Sequence, residues 1–559
     1  MANYRVLPRT DDDLLKHLLR SRGIDEKNEE EFLRPDYESG RHDPYLLHDM
    51  DKAVERLTRA IAANELIAIF SDYDCDGIPG AVVLHDFLKA VGHTNFLNHI
   101  PHRHFDGFGL SVAAVEKMQA DGASLIVTID CGTADIAAAN RAAELGVDLV
   151  ITDHHEPKAE LPPAVAVVNP RVGDTYPFPH LCGAAVVFKL VEAMIARGGF
   201  DIAPGREKWW LDMVALATIG DMVPLAGENR VYASFGLRVL RKSRRPGLQH
   251  LFRKARASQI NATEDDIGFT LAPRINAASR MDSPEQAFLM LSEPDVSAAS
   301  IYADHLEKLN NERKGVVAAM TKELKRRVEE MVELPEVIVM GNPEWRPALV
   351  GLCANGLSEQ FSRPVFLWGR DGNGVVKGSC RSSSAVSVVR LMESVSDHFL
   401  EHGGHHASGG FSVKEESVFH LSQVLNEAMS ALGDKVLADT DKTVDAVLSL
   451  VDIDRSLLAN LRSLAPFGVG NDKPLFAFPA VRPLTVESFG KSREHLKMVF
   501  DAGGRKIEAI AFFATPEQFD VTPSADTNFT LLAHVEESFF MNRPQTRLRI
   551  VDIVPASSF

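Results

Sequence analysis

Seven side chains in four short stretches of this 559-residue sequence have the types and spacing for phosphoester chemistry at divalent cations. The first stretch is Ser71-Asp72-Tyr73-Asp74-Cys75-Asp76-Gly77, the second Thr128-Ile129-Asp130-Cys131-Gly132, the third Asp153-His154-His155 and the fourth Ile219-Gly220-Asp221-Met222-Val223-Pro224-Leu225. In an extended segment alternate residues point the same way, so Asp72, Asp74 and Asp76 could present carboxylates to one side, where like charges require cations. Taken singly, each stretch has a plainer account. The first can also be read as a calcium-loop-like or capping cluster, a strand-end Asp130 as a helix cap, His154 as a satisfied polar residue and Asp221 as a solvated helix end. Together, Asp74, Asp76, Asp130, His154 and Asp221 offer mixed oxygen and imidazole ligands, which suit Mn²⁺ or Mg²⁺ better than a thiolate-loving ion. Two such ions about 4 Å apart, bridged by one carboxylate, activate water and stabilise the entering and leaving oxygens of a phosphodiester.

These side chains need a frame that brings them to one place. Apolar runs at Leu66 to Phe70, Leu125 to Ile129, Leu149 to Ile151 and Val165 to Val168 alternate with amphipathic segments such as Ile78 to Val91 and Ala134 to Leu145. Short continuous runs of this kind are strands buried on both faces, and strand-helix-strand order predicts a doubly wound parallel sheet in an α/β fold. Ligands bind outside the carboxyl ends of such strands, which is where the first three stretches lie.

The ordered set resembles the RecJ family of single-strand-specific 5′ exonucleases, within the DHH phosphoesterase superfamily, and the resemblance spans nearly the whole chain. It implies that Asp74 and Asp76 each reach one ion, that Asp130 bridges both, and that His154 and Asp221 complete the ligand shell. His155 is then the catalytic donor or acid beside the scissile phosphate, with Asp130 and Asp72 counted in the catalytic group, Asp72 as a positioning neighbour.

Downstream, Ala272-Pro273-Arg274-Ile275-Asn276-Ala277-Ala278-Ser279-Arg280-Met281 resembles the family's arginine motif, with Ser279 where glycine is usual. Gly378-Ser379-Cys380-Arg381-Ser382 resembles the element that grips the terminal phosphate, so Arg280, Ser379, Arg381 and Ser382 are candidates for binding the 5′ end. Pro101-His102-Arg103, with Gly107-Phe108-Gly109-Leu110 after it, resembles a family segment near the active cleft, which implies substrate contact by Arg103, and Gly403-Gly404-His405-His406-Ala407-Ser408-Gly409-Gly410 matches the glycine-rich signature of the DHHA1 domain, with His405 approaching a nucleotide. A structural turn is the competing account of that last stretch. Arg346 stands where the family has histidine.

The expected domains are an N-terminal helical cap (1–45), a DHH catalytic domain with helical extension and connector (46–330), a smaller α/β DHHA1 domain (331–438) and a C-terminal β-barrel of OB-fold type (439–559). In the barrel, Lys491, Arg493, Lys497, Phe500, Arg547 and Arg549 could stack on and neutralise a single strand. The formal charge of −17 argues against coating duplex nucleic acid with a basic surface, although the run from Arg238 to Arg256 has eight cations and no acid. That run reads either as a solvated helix face or as a strand-binding track. The five cysteines are scattered, which points to small buried residues rather than a disulfide frame or zinc site. No apolar run is long enough for a membrane helix and no signal core precedes Asp11, so the expected location is the cytoplasm. The resemblance implies 5′ to 3′ hydrolysis of single-stranded DNA to 5′-mononucleotides in repair and recombination, with a helicase and single-strand-binding protein as partners. The rivals are a relative acting on oligoribonucleotides or cyclic dinucleotides, and a non-catalytic replication scaffold.

Overall fold

The four apolar runs, joined by Phe96–His99, pair as a parallel five-stranded sheet in the order Phe96–His99, Ile67–Ser71, Leu125–Ile129, Asp148–Thr152, Ala166–Val168. The computed structural model describes residues 4–383, 386–432, 442–490, 493–540 and 543–558. Ile67–Ser71 and Leu125–Ile129 are buried at every position because both sheet faces are covered. Ile69, Val127 and Val150 face one core with the helices Gly77–Ala90 and Gly183–Arg197, whereas Phe70, Ile126 and Ile151 face a second core with Val115 and Ala139. Phe96–His99 escapes an apolar-run reading because this edge strand, Phe-Leu-Asn-His, is only half-buried throughout.

The helix Leu211–Gly220 is buried over nine of its ten residues. An apolar run with no polar face has to lie between other elements, and it packs with Gly77–Ala90 and Gly183–Arg197 in the largest core. The helix Val296–Glu329 joins two cores: Ala303, Leu306 and Leu309 belong to the first unit, Met320, Leu324 and Val328 to the second. Its 34 residues span roughly 50 Å at 1.5 Å per residue, enough to hold two units at a set separation.

The second unit is a five-stranded sheet, ordered Phe399–His405, Ser408–Val413, Val376–Arg381, Val365–Arg370, Ile338–Gly341, with only the last pair parallel. Gly403 to Gly410 forms a hairpin within it, Gly403 opposite Gly410 and Gly404 opposite Gly409.

The C-terminal unit is a seven-stranded sheet whose alternate positions, among them Phe476, Phe478, Leu496, Met498, Phe529 and Leu548, converge on one core. Phe500 is fully buried there, 6.3 Å from Phe529, so its expected role in stacking on a strand is corrected: the period-2 pattern of His495–Asp501 turns it inward. Lys491 lies outside the described residues. Lys497 sits 3.7 Å from Glu487, and Arg547 donates to Glu536 at 2.5 Å. Arg549 lies over the Phe512 ring at 4.4 Å.

The N-terminal segment is stitched to this unit. Tyr4–Val6 pairs in parallel with Lys442–Val444, and Leu18 and Leu19 of the helix Leu14–Ser21 enter the C-terminal core. Arg230, on the helix Gly227–Leu240, fastens both to the parallel-sheet unit. Its guanidinium lies 3.7 Å from the Phe32 ring centroid and donates to the carbonyls of Phe32 (2.8 Å), Leu464 (3.0 Å) and Ala465 (3.1 Å). Burial lowers this group to about 10, so the carbonyls hold a charge removed from water. Among the described residues, no helix is long and apolar enough to cross a membrane.

Truncating Arg230 leaves several carbonyls without a donor. Arg230→Ala is expected to cost about 2–4 kcal/mol of docking free energy. Calorimetry should then show the C-terminal unit melting earlier than in the parent, and identical thermograms would exclude the clamp.

Candidate metal centre

Three strands and two helices deliver the seven side chains to one pocket at the carboxyl edge of the parallel sheet. Asp130 follows Leu125–Ile129 with φ 61°, a left-handed conformation that Asp and Asn tolerate better than other side chains. His154 and His155 follow Asp148–Thr152, and Asp221 closes Leu211–Gly220. The segment from Asp72 to Asp76 is not extended, contrary to the period-2 expectation. Asp74 Oδ1 accepts from the amides of Asp76 (2.8 Å) and Gly77 (3.3 Å), turning the chain into the helix Gly77–Ala90.

That turn splits the carboxylates into two sets. Asp72, Asp74 and Asp130 present oxygens within 4.8 Å of one another, as do the ligand atoms of Asp76, His154 and Asp221 and, in an overlapping set, those of Asp130, His154 and His155. His154 Nε2 lies 3.1 Å from Asp130 Oδ1, 3.6 Å from Asp76 Oδ2 and 3.8 Å from Asp221 Oδ2. Asp130 thus belongs to sets on both sides. Asp72 has ligand spacing, which is more than the positioning role expected of it.

Backbone amides fix part of this arrangement. The first two amides of the helix Gly183–Arg197 donate to Asp76, Gly183 N to Oδ2 at 2.6 Å and Ala184 N to Oδ1 at 2.7 Å. The positive end of a helix therefore faces the pocket. A Cβ at residue 183 would stand 2.5 Å from that of Asp130, so glycine is what lets the helix come this close.

The pocket is electrostatically incomplete without cations. Burial first, and then the charge of Asp74, push Asp76 up to about 7. Burial and neighbouring carboxylates also raise Asp72, Asp130 and Asp221. Asp72 Oδ1 and Asp130 Oδ1 are buried without a hydrogen-bond partner among the described residues. Burial and the adjacent His155 lower His154 to about 4, so its ring is neutral near pH 7. Oxygen and neutral imidazole donors, with orphaned buried oxygens, fit hard or borderline divalent ions.

His155 differs. Its side chain is 43% exposed and Nδ1 donates to Asp153 Oδ1 at 2.8 Å. Although burial acts to lower it, the Asp153 hydrogen bond and charge outweigh burial and raise His155 to about 9. Asp153 itself accepts from Thr133 N at 2.9 Å and His154 N at 2.7 Å. Asn169 Nδ2 donates to the His155 carbonyl at 2.9 Å. Asp153 is quoted in the Asp-His-His motif, but nothing in its spacing distinguishes it as the residue that orients His155. Phe108 stands edge-on to His155, ring centroids 5.6 Å apart.

Beside the carboxylates lies a cluster of opposite sign. The Arg103 guanidinium sits 4.8 Å from the Tyr73 ring centroid. Burial, then Arg103 and Arg313, lower Arg280 to about 9. Arg313, on the long connecting helix, was not expected from the sequence and carries no local signal there. Arg280 donates to the Ala348 carbonyl at 2.6 Å in the first turn of the helix Pro347–Phe361, and a Cβ at Gly351 of that helix would come within 2.9 Å of Ser379 Oγ and 3.2 Å of Arg381 Nη2. Arg381 also donates to Ser379 Oγ at 2.8 Å. Ser382 is buried below the hairpin turn, its amide donating to Ala407 O at 2.8 Å, and His405 stands exposed at the hairpin tip. Arg346, in the family's histidine place, donates to the Met281 carbonyl at 3.2 Å.

Comparison with protein-family models matches residues 66–218 to the DHH family N-terminal domain, 334–431 to the DHHA1 domain and 444–552 to the RecJ OB domain. The chain is similar to the single-stranded-DNA-specific exonuclease RecJ of Bacillus subtilis, 33% identical over 546 residues, covering 96% of this chain and 67% of that protein. Its Escherichia coli counterpart is 32% identical over 518 residues, with 89% of each chain covered. Among solved structures, RecJ from Thermus thermophilus in complex with Mn²⁺ superposes with TM-score 0.80 at 26% identity, covering 99% of this chain and 79% of that one. An exonuclease RecJ bound to manganese gives TM-score 0.60 at 30% identity, covering 70% and 98%.

Cations entering this pocket must displace the protons that raised carboxylates retain near neutral pH, and the sign follows: lower pH fills the sites with protons and weakens cation binding. Adding Mn²⁺ to metal-free protein in weak buffer at pH 7 is expected to release on the order of one proton per chain or more. The titration midpoint should move to higher Mn²⁺ as pH falls, and Asp130→Asn should release less. Saturation without acidification would rule out the carboxylate cage.

Proposed function

Because the chain belongs to the RecJ family of single-stranded-DNA-specific exonucleases, we propose that it hydrolyses single-stranded DNA from the 5′ end, releasing nucleoside 5′-monophosphates. The observation that carries this reading is the pairing of a carboxylate–imidazole pocket with an adjacent guanidinium cluster, one needing cations and the other an anion. Asp72, Asp74, Asp76, Asp130, His154 and Asp221 are the residues to hold two Mn²⁺ or Mg²⁺ ions, with Asp130 shared. When bound, such ions supply positive charge to phosphate oxygens and lower the pKa of water.

The protein's own groups account for the rest. Arg280, Arg381 and Ser379 bind the terminal 5′-phosphate, and Arg103 neutralises the strand beside Tyr73. That anchoring fixes which phosphodiester reaches the carboxylates. Water oxygen bonds to phosphorus as the bond to the 3′ oxygen of the first nucleotide breaks. The departing mononucleotide keeps its 5′-phosphate, and the shortened strand carries a new one. His155, protonated through its bond to Asp153, keeps Nε2 free to donate a hydrogen bond or proton to developing negative charge on oxygen. Asp153 is a positioning residue that sets the imidazole's orientation.

Residues 444–552, matched to the RecJ OB domain, support a long single strand as substrate over a small dinucleotide. The full complement of ligand-type side chains argues against a scaffold that has lost catalysis. A helicase that supplies single strands and a single-strand-binding protein are the partners this substrate calls for.

Digestion of 5′- and 3′-labelled single strands and duplex with Mn²⁺, Mg²⁺ or EDTA checks the reading. Early release of 5′ label as mononucleotide, no attack on blunt duplex and no activity in EDTA are expected. Release of 3′ label first would overturn the polarity. Asp130→Asn, which keeps the backbone conformation and removes the charge, should abolish hydrolysis, and Asp153→Asn should cost about 10–100-fold. Losing a charged hydrogen bond in Arg381→Ala should lower the preference for a 5′-phosphate over a 5′-hydroxyl by about 10–100-fold. An unchanged preference would remove Arg381 from the phosphate site.

A further inference from the structure

The run from Arg238 to Arg256 is neither a uniform solvated face nor a continuous track. Arg241 donates to the Ala262 carbonyl at 2.8 Å, Lys254 pairs with Asp304 at 2.8 Å and Arg253 bonds His250. Arg245 bonds Asp86 (2.7 Å), Asp212 (3.1 Å) and the Leu291 carbonyl (3.1 Å). Arg244, next in sequence, is exposed and lines a cavity of about 660 Å³ together with Lys89, Arg206 and Trp209. These three cations form no ion pair among the described residues; of the acids on the same wall, Asp86 and Asp212 are neutralised by Arg245, and Glu293 accepts from the Asp295 amide at 2.9 Å, which leaves three cations facing one carboxylate.

The two tryptophans mark the contrast between packing and availability. Trp210 is 3% exposed and packs edge-on to Phe87, but Trp209 is 48% exposed at the cavity. An indole and unpaired guanidinium groups in one concavity satisfy both halves of a nucleotide, a π-face for the base and charge for the phosphate. The volume lies in the range of small-ligand sites.

The cavity is distinct from the metal centre. The helix Leu211–Gly220 has Asp212 near one end at the cavity and Asp221 at the other, nine residues or roughly 13 Å apart. Gly77–Ala90 likewise runs from Asp76 to Lys89, roughly 20 Å.

We propose that this cavity is a second, non-catalytic binding site for a nucleoside phosphate, with the base against Trp209 and the phosphate held by Lys89, Arg206 and Arg244. The proposal goes beyond the exonuclease reading and does not need it. Its test uses the full chain carrying Asp130→Asn in EDTA, so that binding is read without hydrolysis. Calorimetry with deoxyadenosine monophosphate should give saturable binding that Trp209→Ala and Arg244→Glu each weaken about tenfold or more. Both residues are exposed, and unchanged melting would exclude misfolding.

Deoxyadenosine and inorganic phosphate, each half of the ligand, should bind more weakly than the whole. Tighter binding of a five-nucleotide strand retains the same base-and-phosphate chemistry and identifies a strand as its source. The proposal is overturned by absent saturation, by phosphate binding as well as the nucleotide, or by binding that Arg381→Ala abolishes while Trp209→Ala leaves intact. In the other direction, catalysis by the otherwise unaltered chain with Trp209→Ala should match the parent, which separates failure here from failure of the nuclease reading.

Discussion

Mutual repulsion among buried carboxylates is the constraint that organises this molecule. Asp72, Asp76 and Asp130 are buried and meet the half-buried Asp74 and Asp221, and burial raises Asp72, Asp76, Asp130 and Asp221. A chain does not assemble such a group for stability, because each uncompensated charge opposes folding. The surrounding structure has to hold it. A sheet buried on both faces supplies the rigid base, and the helix Gly183–Arg197 brings its first amides onto Asp76. Asp74 spends one oxygen on the turn that starts the next helix. What these bonds leave unmet, the orphaned oxygens of Asp72 and Asp130 among them, is what a divalent ion would satisfy.

The same reasoning with signs reversed applies next door. Burial first, and then the charges of Arg103 and Arg313, lower Arg280 to about 9. Neither cluster neutralises the other completely, since the carboxylates stay raised and the guanidinium stays lowered. A phosphodiester carrying divalent counter-ions answers both demands at once. Negative overall charge is therefore compatible with nucleic-acid chemistry, because the local field and not the sum decides what binds.

Assembly of the site depends on joints between units as much as on the units themselves. Arg313 arrives on a helix shared between two cores, and Ser379 and Arg381 reach the region across Gly351 of a second unit. Arg230 ties both chain ends to the catalytic unit through carbonyl bonds and the Phe32 ring. Buried joints of this kind limit relative motion, which a centre built from distant residues requires.

By itself the sequence determined the parallel sheet, the order of the motifs and the chemistry of the donors. Continuous apolar runs such as Leu125 to Ile129 report burial on both faces, and strand ends are legible because a local pattern stops there. All five cysteines are buried, as their scatter suggested. Tertiary structure alone decided the pairing of Asp72 and Asp74 with Asp130, and of Asp76 with His154 and Asp221, because a turn replaced the extended geometry that alternation assumes. It also decided that Asp153 orients His155, that Arg313 joins Arg280, that Arg245 is neutralised while Arg244 is not, and that Phe500 faces inward. Residue types and periodicity are local properties of a chain. Which charges meet depends on packing between segments far apart in sequence, and that packing is where the electrostatics of this site is settled.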